Sequence, residues 1–192
     1  MKNTKSALLV GVGGQGAILT AKVLVNGLMK AGYDVKMSEV HGMSQRGGSV
    51  VTYVRFGDHV YSPIIDKGEA DFIVSFEKLE AARWMEYLKP GGRVIVNTQE
   101  IDPMPVITGA AEYPSDLVEK MQALGAKVDA MDALAIATEA GSAKAVNIAL
   151  MGRLSRYFDQ ISEQAWLDAL EASVPAKFLE LNRKAFHLGR VE

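Results

Sequence analysis

Two glycine-rich segments contain the residues of this chain that are best suited to bind a ligand. The first is GVGGQG, residues 11–16, which follows directly on the apolar run 7–10. Its glycines at positions 11, 13 and 16 have the G-x-G-x-x-G spacing that binds dinucleotides between a strand and a helix. Glycines permit a tight turn and a close approach of the backbone, and the start of a helix offers unpaired N–H groups to an anion.

A dinucleotide site also needs an acidic residue about 20 positions further on, which bonds a ribose hydroxyl. Glu39 lies at a plausible distance, near the end of the predicted second strand. A stand-alone oxidoreductase that binds NAD(P) or a flavin is therefore one hypothesis. A tight strand-to-helix turn without any nucleotide is another. No Gly-Lys-Ser/Thr follows the glycines, which excludes a P-loop.

The second segment is HGMSQRGG, residues 41–48, at the end of the predicted second strand. Ligands of open α/β sheets bind at the carboxyl edge, so we expect both segments on one surface. Arg46 is suited to hold a phosphate or carboxylate bidentately, whereas His41 fits a structural hydrogen bond better than a proton shuttle. We expect no catalytic residue and no metal ligand in these loops. The predicted ligand-binding or partner-facing residues are Gly11, Gly13, Gly14, Gln15, Gly16, His41, Gly42, Ser44, Gln45, Arg46, Gly47 and Gly48.

The composition narrows the functional classes. The chain has 192 residues, of which 48% are hydrophobic, and a net charge of −2, so we expect a single domain over 1–192. Lysine and arginine form no basic block, which argues against nucleic-acid binding. Since the chain has no cysteine, it cannot ligate an iron–sulfur cluster or supply a thiolate nucleophile. No apolar run approaches the ~20 residues of a membrane span. We therefore expect a cytoplasmic protein.

Apolar runs and helical periodicity predict an alternating order of strands and helices. The strands are expected at 6–10, 34–40, 49–56, 71–76, 93–98 and 126–131, and the main helices at 17–31, 77–89, 113–124, 143–156, 162–173 and 175–188. Gly57-Asp58 predicts a hairpin that returns over 59–62. The pattern indicates an α/β fold: a doubly wound, Rossmann-like, mostly parallel sheet with an inserted antiparallel hairpin and a helical C-terminus.

Three polar residues are interpreted as structural. Asp71 and Glu77 flank a predicted core strand, and we expect them to cap or solvate its ends and not to form a catalytic pair. Asn182 lies one helical turn from Phe178 and Phe186, so we expect its amide to satisfy a buried backbone or partner group.

The paired loops resemble those of the gamma-type subunits, or gamma domains, of 2-oxoacid:ferredoxin oxidoreductases, in particular the small subunits that serve aryl oxoacids such as indolepyruvate. The C-terminal stretches NIALMGRLS, from Asn147, and VPAKFLELNRKAFHLG, from Val174, are also similar to the closing helices of that family. The resemblance covers nearly the whole chain. Only Met151-Gly152-Arg153 departs from the smaller residues expected there.

The resemblance implies a subunit of a heteromeric complex of anaerobic metabolism. Such complexes decarboxylate a 2-oxoacid on thiamine diphosphate and magnesium, oxidise the product through 4Fe-4S clusters, form acyl-coenzyme A and reduce ferredoxin. The chain lacks cysteine and a Gly-Asp-Gly…Asn-Asn thiamine motif, so the cofactors are expected in a larger partner subunit. The chain is expected to be inactive alone, where it can form a homo-oligomer. A homo-oligomeric scaffold without a small-molecule site is a third hypothesis.

Overall fold

The computed structural model describes residues 4–40 and 47–191. Its centre is a six-stranded sheet with the order β2-β3-β1-β4-β5-β6. The strands are β1 (Lys5–Val12), β2 (Asp34–Glu39), β3 (Ser49–Gly57), β4 (Ala70–Ser75), β5 (Leu88–Asn97) and β6 (Lys127–Met131). Strand β3 runs antiparallel to both of its neighbours, whereas β1, β4, β5 and β6 pair in parallel. The sheet is therefore mixed, with one reversed strand.

The helices follow the strands and close the chain. They are α1 (Ala17–Lys30), α2 (Lys78–Arg83), α3 (Met104–Ile107), α4 (Leu117–Ala123), α5 (Ala133–Ala140), α6 (Val146–Ser155), α7 (Glu163–Glu171) and α8 (Leu179–Val191). Short 3-10 turns span Met85–Tyr87, Ala143–Ala145 and Ala176–Phe178. Four of these helices, α5 to α8, come after the last strand, which confirms the predicted helical C-terminus.

Both faces of the sheet are covered, because successive residues of a strand point to opposite faces. In β1, Ala7 and Leu9 pack in the larger core, with residues of α1, α5, α6, α7 and α8. Leu8 and Val10 pack in the smaller core, with residues of α2 and α4. All four of these β1 side chains are fully buried. The doubly wound α/β fold predicted from the sequence is confirmed.

The predicted hairpin at Gly57-Asp58 was wrong. Residues 59–62 form no strand; instead, the N–H of Val60 donates to the Asp34 carboxylate at 2.8 Å, and the side chains of Val60 and Ile65 are buried. The antiparallel partner of β3 is β2. The hairpin connection is therefore the segment that holds the second glycine-rich loop.

Two predicted helix ends were also wrong. The helix expected over 77–89 stops at Arg83, and Leu88 is extended because it pairs with Ala70 in the sheet. Gly189 does not end the last helix, which continues to Val191. Gly152 of α6 and Gly189 of α8 lie at the crossing of these helices, where a methyl group on either would overlap the backbone of the other helix. The glycines permit this close approach.

Candidate functional site

The first glycine loop joins the carboxyl end of β1 to α1, at the carboxyl edge of the sheet. Gly14 has φ +101° and Gly16, which precedes the helix, has φ +86°. Residues that have a Cβ rarely adopt these positive φ angles, so both positions favour glycine. The turn thus uses one glycine of the motif, Gly16, and one glycine at a position that the motif leaves open, Gly14.

Gln15 turns its amide back into the loop. Its Oε1 accepts the N–H of Val12 at 2.7 Å, and its Nε2 donates to the carbonyl of Phe76 at 3.0 Å. A side chain on Gly11 would meet Gln15 Oε1 at 2.8 Å and the Cβ of Phe76 at 3.0 Å. The glutamine therefore braces the loop from within and ties it to the end of β4.

The second loop returns to the same edge. The N–H of Gly13 donates to the carbonyl of Gly48 at 2.8 Å, and Val12 pairs with Ser49 at the start of β3. The structure thus brings Gly48 to the first loop, so the two glycine-rich segments meet at this edge. Of the other predicted residues of this loop, His41, Gly42, Ser44, Gln45 and Arg46 lie outside the described residues.

Two clefts flank the first glycine loop. The first cleft, between that loop and the ends of β2 and β3, has a volume of about 290 Å³. It is lined by Val12, Gly13, Gly14, Gln15, Gly16, Ala17, Ile18, Glu39, Val40, Val50, Val51 and Thr52. The second cleft, on the side of β5 and α6, has a volume of about 560 Å³. It is lined by Gly14, Gln15, Gly16, Gln99, Ile101, Leu134, Ala143, Lys144, Val146 and Asn147.

The two clefts differ in chemistry. The first is mostly apolar, and Glu39 is its charged side chain among the described residues. The second is lined by the amide side chains of Gln15, Gln99 and Asn147, and Lys144 is its charged side chain among the described residues. An apolar group suits the first cleft, whereas an anionic or polar group suits the second.

The carboxyl edge contains structural amides whose roles the sequence did not indicate. Asn97, fully buried at the end of β5, donates to the carbonyl of Phe76 at 3.2 Å and accepts the N–H of Ala133 at 3.1 Å. Asn147 donates to the carbonyl of Gly16 at 3.3 Å. Asn97 thus joins the ends of two strands to the start of α5, and Asn147 joins the starts of α1 and α6. Of the two, only Asn147 lies in a segment that the family resemblance had singled out.

Glu77 is a buried junction at the end of β4. Its carboxylate accepts the N–H of Glu80 at 2.8 Å, the N–H of Ile101 at 3.2 Å and the hydroxyl of Tyr113. Burial, and then the hydrogen bond to Glu77, raise the pKa of Tyr113 well above its ordinary value. Glu77 was expected to cap or solvate the end of the strand; instead it caps the start of the following helix, α2, and it is fully buried.

Asp71 and Asn182 have the structural partners expected of them. Asp71 accepts the N–H of Ser6 at 2.8 Å and also pairs with Lys89. Asn182 donates to the carbonyl of Phe178 at 2.8 Å. Both act on the backbone, as predicted.

The position of Glu39 differs from that of the acidic residue in a dinucleotide fold. In that fold the first two strands are neighbours, whereas here β3 lies between β1 and β2. Glu39 is consequently two strand spacings, about 10 Å, from β1. It still borders the first cleft, but its strand is not adjacent to the glycine loop.

Among residues 4–40 and 47–191, no group of three or more His, Cys, Asp and Glu could hold a metal ion. The chain contains no cysteine, so it does not fit an iron–sulfur cluster. No helix within the same residues is long and apolar enough to cross a membrane.

Residues 6–192 match the family model described as pyruvate ferredoxin/flavodoxin oxidoreductase. The chain belongs to this family. It is 44% identical over 186 residues to the indolepyruvate oxidoreductase subunit IorB of Thermococcus kodakarensis, an alignment that covers 95% of this chain and 92% of that protein. The sequence-based assignment to the gamma-type subunits is confirmed.

Two solved structures have the fold of this family member. The pyruvate oxidoreductase subunit PORC of Thermotoga maritima aligns with a TM-score of 0.76 at 21% identity and covers 100% of this chain and 97% of its own. The 2-oxoglutarate:ferredoxin oxidoreductase of Magnetococcus marinus aligns with a TM-score of 0.75 at 20% identity. That match covers 99% of this chain but 31% of the other. The fold thus occurs as a separate subunit and as one third of a longer chain.

Proposed function

We propose that the chain is the small subunit of an indolepyruvate:ferredoxin oxidoreductase, and that its two glycine-rich loops help to bind coenzyme A or the 2-oxoacid. The reaction is oxidative decarboxylation of an aryl 2-oxoacid to an acyl-coenzyme A, with ferredoxin as electron acceptor. The proposal for the substrate is supported by the 44% identity to an indolepyruvate oxidoreductase subunit over nearly the full length of both chains.

The observation that carries the role of the loops is the hydrogen bond from the Gly13 N–H to the Gly48 carbonyl. It joins the two motif segments at the carboxyl edge of the sheet, where ligands of open α/β sheets bind. The second cleft, with Lys144 and three amides, suits an anionic group such as a phosphate or carboxylate. The first, apolar cleft suits an aromatic ring or an aliphatic chain.

The cofactors belong, in this proposal, to a larger partner subunit. Thiamine diphosphate, magnesium and 4Fe-4S clusters would be held there, since this chain offers no cysteine and its described residues offer no metal-binding group. The edge with the two loops would face that subunit, where the substrate and coenzyme A react. The chain is then a cytoplasmic protein that is inactive alone.

Affinity purification of the tagged chain from its native host under anaerobic conditions tests the assembly. We expect a stoichiometric, cysteine-rich partner, with thiamine diphosphate and iron, and coenzyme A-dependent oxidation of indolepyruvate. A chain that is recovered alone with a bound dinucleotide would contradict the proposal and favour the hypothesis of a stand-alone oxidoreductase.

Kinetics of the purified complex test the loops. Because a charge-assisted hydrogen bond contributes about 1.5–3 kcal/mol, we expect Arg46→Ala to raise the KM of coenzyme A or indolepyruvate by roughly 10- to 100-fold. The substrate affected identifies the ligand of the second loop. Arg156→Ala, at an exposed position after α6, is the matched control. Unchanged KM values for both substrates in Arg46→Ala would refute the role of the loop.

A further inference from the structure

The first turn of α2 carries a second buried carboxylate, for which the proposed function has no role. Glu80 lies three residues after Glu77, and its residue surface is 5% exposed. A buried charge is costly unless its hydrogen bonds are satisfied. Burial accordingly raises the pKa of Glu80, although its hydrogen bond with Ser49 and the nearby Arg83 act in the opposite direction.

The partner of Glu80 is the residue that ends the second loop. The hydroxyl of Ser49 donates to Glu80 Oε2, and Ser49 is the first residue of β3. The preceding residue, Gly48, accepts the N–H of Gly13. Two consecutive residues are therefore fixed, one to the backbone of the first loop and one to a side chain of α2.

Glu77, three residues before Glu80, does not replace it in this contact. Its carboxylate already accepts the N–H of Glu80, the N–H of Ile101 and the hydroxyl of Tyr113. The other oxygen of Glu80 lies 3.5 Å from Nε of Arg83, whose side chain is half exposed. Oε1 of Glu80 thus lies near Arg83, and Oε2 accepts from Ser49 at the end of the second loop.

We propose that Glu80 is a positioning residue, whose carboxylate holds Ser49 and thereby fixes the Gly48–Ser49 end of the second loop against the first. The inference rests on the proposed function, since it assigns Glu80 to the binding of the same ligand. Glu80 does not itself line either cleft and acts through Ser49. An error of about 1 Å in a binding group costs up to 100-fold in rate, so such a support has a measurable effect.

The test uses the purified complex with three variants of this chain. We expect Glu80→Ala and Ser49→Ala to raise the KM of the substrate that Arg46→Ala affects, by roughly tenfold, with a smaller effect on kcat. Glu80→Gln keeps an oxygen that accepts from Ser49 and is expected to restore the KM to within about threefold. The double variant Glu80→Ala/Ser49→Ala should be no worse than either single variant, since both remove one contact.

Ser49 is exposed, so Ser49→Ala keeps the test valid if Glu80→Ala fails to fold. The proposal is overturned if Arg46→Ala raises a KM while folded Ser49→Ala leaves it unchanged. It is also overturned if Glu80→Gln behaves like Glu80→Ala, because a hydrogen-bond acceptor would then not be what matters.

Hydrogen exchange separates this inference from the proposed function. In the same complexes, exchange at the Gly13 amide should be roughly tenfold faster in Ser49→Ala and Glu80→Ala, but not in Glu80→Gln. If Arg46→Ala changes no KM, the proposed function fails, and this exchange alone decides the inference. Unchanged exchange at Gly13 in both alanine variants would then refute it.

Discussion

The side-chain oxygen of Gln15 accepts the backbone N–H of Val12 at 2.7 Å, three residues earlier. The glycine loop is therefore closed by one of its own side chains. The same amide donates to the carbonyl of Phe76, which lies directly after β4. Gln15, which borders both clefts, thus also connects two strand ends, and its substitution is expected to affect folding.

We expect Gln15→Ala to lower the free energy of unfolding by about 1–3 kcal/mol, because it leaves the Val12 N–H without its acceptor and removes one of the two side-chain donors to the Phe76 carbonyl. Urea unfolding of the purified chain measures the change. Gln122→Ala, on the exposed side of α4, is the control and should change stability by less than about 0.5 kcal/mol. Equal effects of the two substitutions would contradict the bracing role of Gln15.

Gly16 and Gly14 both have positive φ, but their surroundings differ. A Cβ on Gly16 would lie 2.7 Å from Nδ2 of Asn147, whereas a Cβ on Gly14 would meet nothing within 4 Å. We expect Gly14→Ala to cost about 1–2 kcal/mol of backbone strain, and Gly16→Ala to cost more because Asn147 must also move. Thermal unfolding of both variants checks the order, which would be wrong if Gly14→Ala had the lower Tm.

Tyr113→Phe removes a hydroxyl from the fully buried Glu77. We expect a loss of about 1–3 kcal/mol in the free energy of unfolding, since a buried carboxylate loses one of its hydrogen bonds. Tyr61→Phe is the matched control, because Tyr61 is 96% exposed and its hydroxyl is accessible to water. Denaturant unfolding of both variants at one pH gives the comparison, and equal stability of Tyr113→Phe and the wild type would refute the prediction.

The raised pKa of Glu80 leads us to expect a specific pH dependence of stability. Burial raises the pKa of Glu80 above its ordinary value, so the folded state holds the proton more tightly than the unfolded chain. The contribution of this carboxyl group to the free energy of unfolding therefore falls as the pH rises from its pKa in the unfolded chain, about 4.3, through its pKa in the folded chain. Glu80→Gln lacks this loss, and the free energy of unfolding of the variant relative to the wild type should increase with pH over that range.

Urea unfolding of Glu80→Gln and the wild type between pH 4 and pH 8 measures this difference. Glu119→Gln, at an exposed position of α4, is the control for removing a carboxylate as such. A difference between Glu80→Gln and the wild type that falls with rising pH would contradict the sign of the prediction.

The sequence predicted the strands of the sheet and the carboxyl edge at which the two loops meet, because apolar runs and glycine spacing are local features. It did not predict which strand reverses. The Gly57-Asp58 pair has the residues of a hairpin turn, but the Asp34 carboxylate takes up the Val60 N–H and Val60 and Ile65 are buried. These contacts join residues more than 20 positions apart, and no local pattern contains them.

At the candidate site, too, the sequence predicted local features but not the contacts between distant residues. The positive φ of Gly16 falls on a glycine of the motif, whereas that of Gly14 falls on a position that the motif leaves open. The junction of Glu77 with Tyr113 and the contact of Glu80 with Ser49 span 36 and 31 residues. Glu80 is an ordinary helix residue in the sequence, and only the folded chain brings it to the end of the second loop.

The reversed strand β3 gives the second loop a property that crossover loops of parallel sheets lack. It connects two neighbouring antiparallel strands, β2 and β3, so both of its ends are held by strands that pair directly with each other. We therefore expect that exchanging its sequence for that of a relative leaves the six-stranded sheet in place. Under the proposed function, chimeras of related subunits that are joined at Val40 and Gly47 should change the affinity for substrate through this hairpin alone.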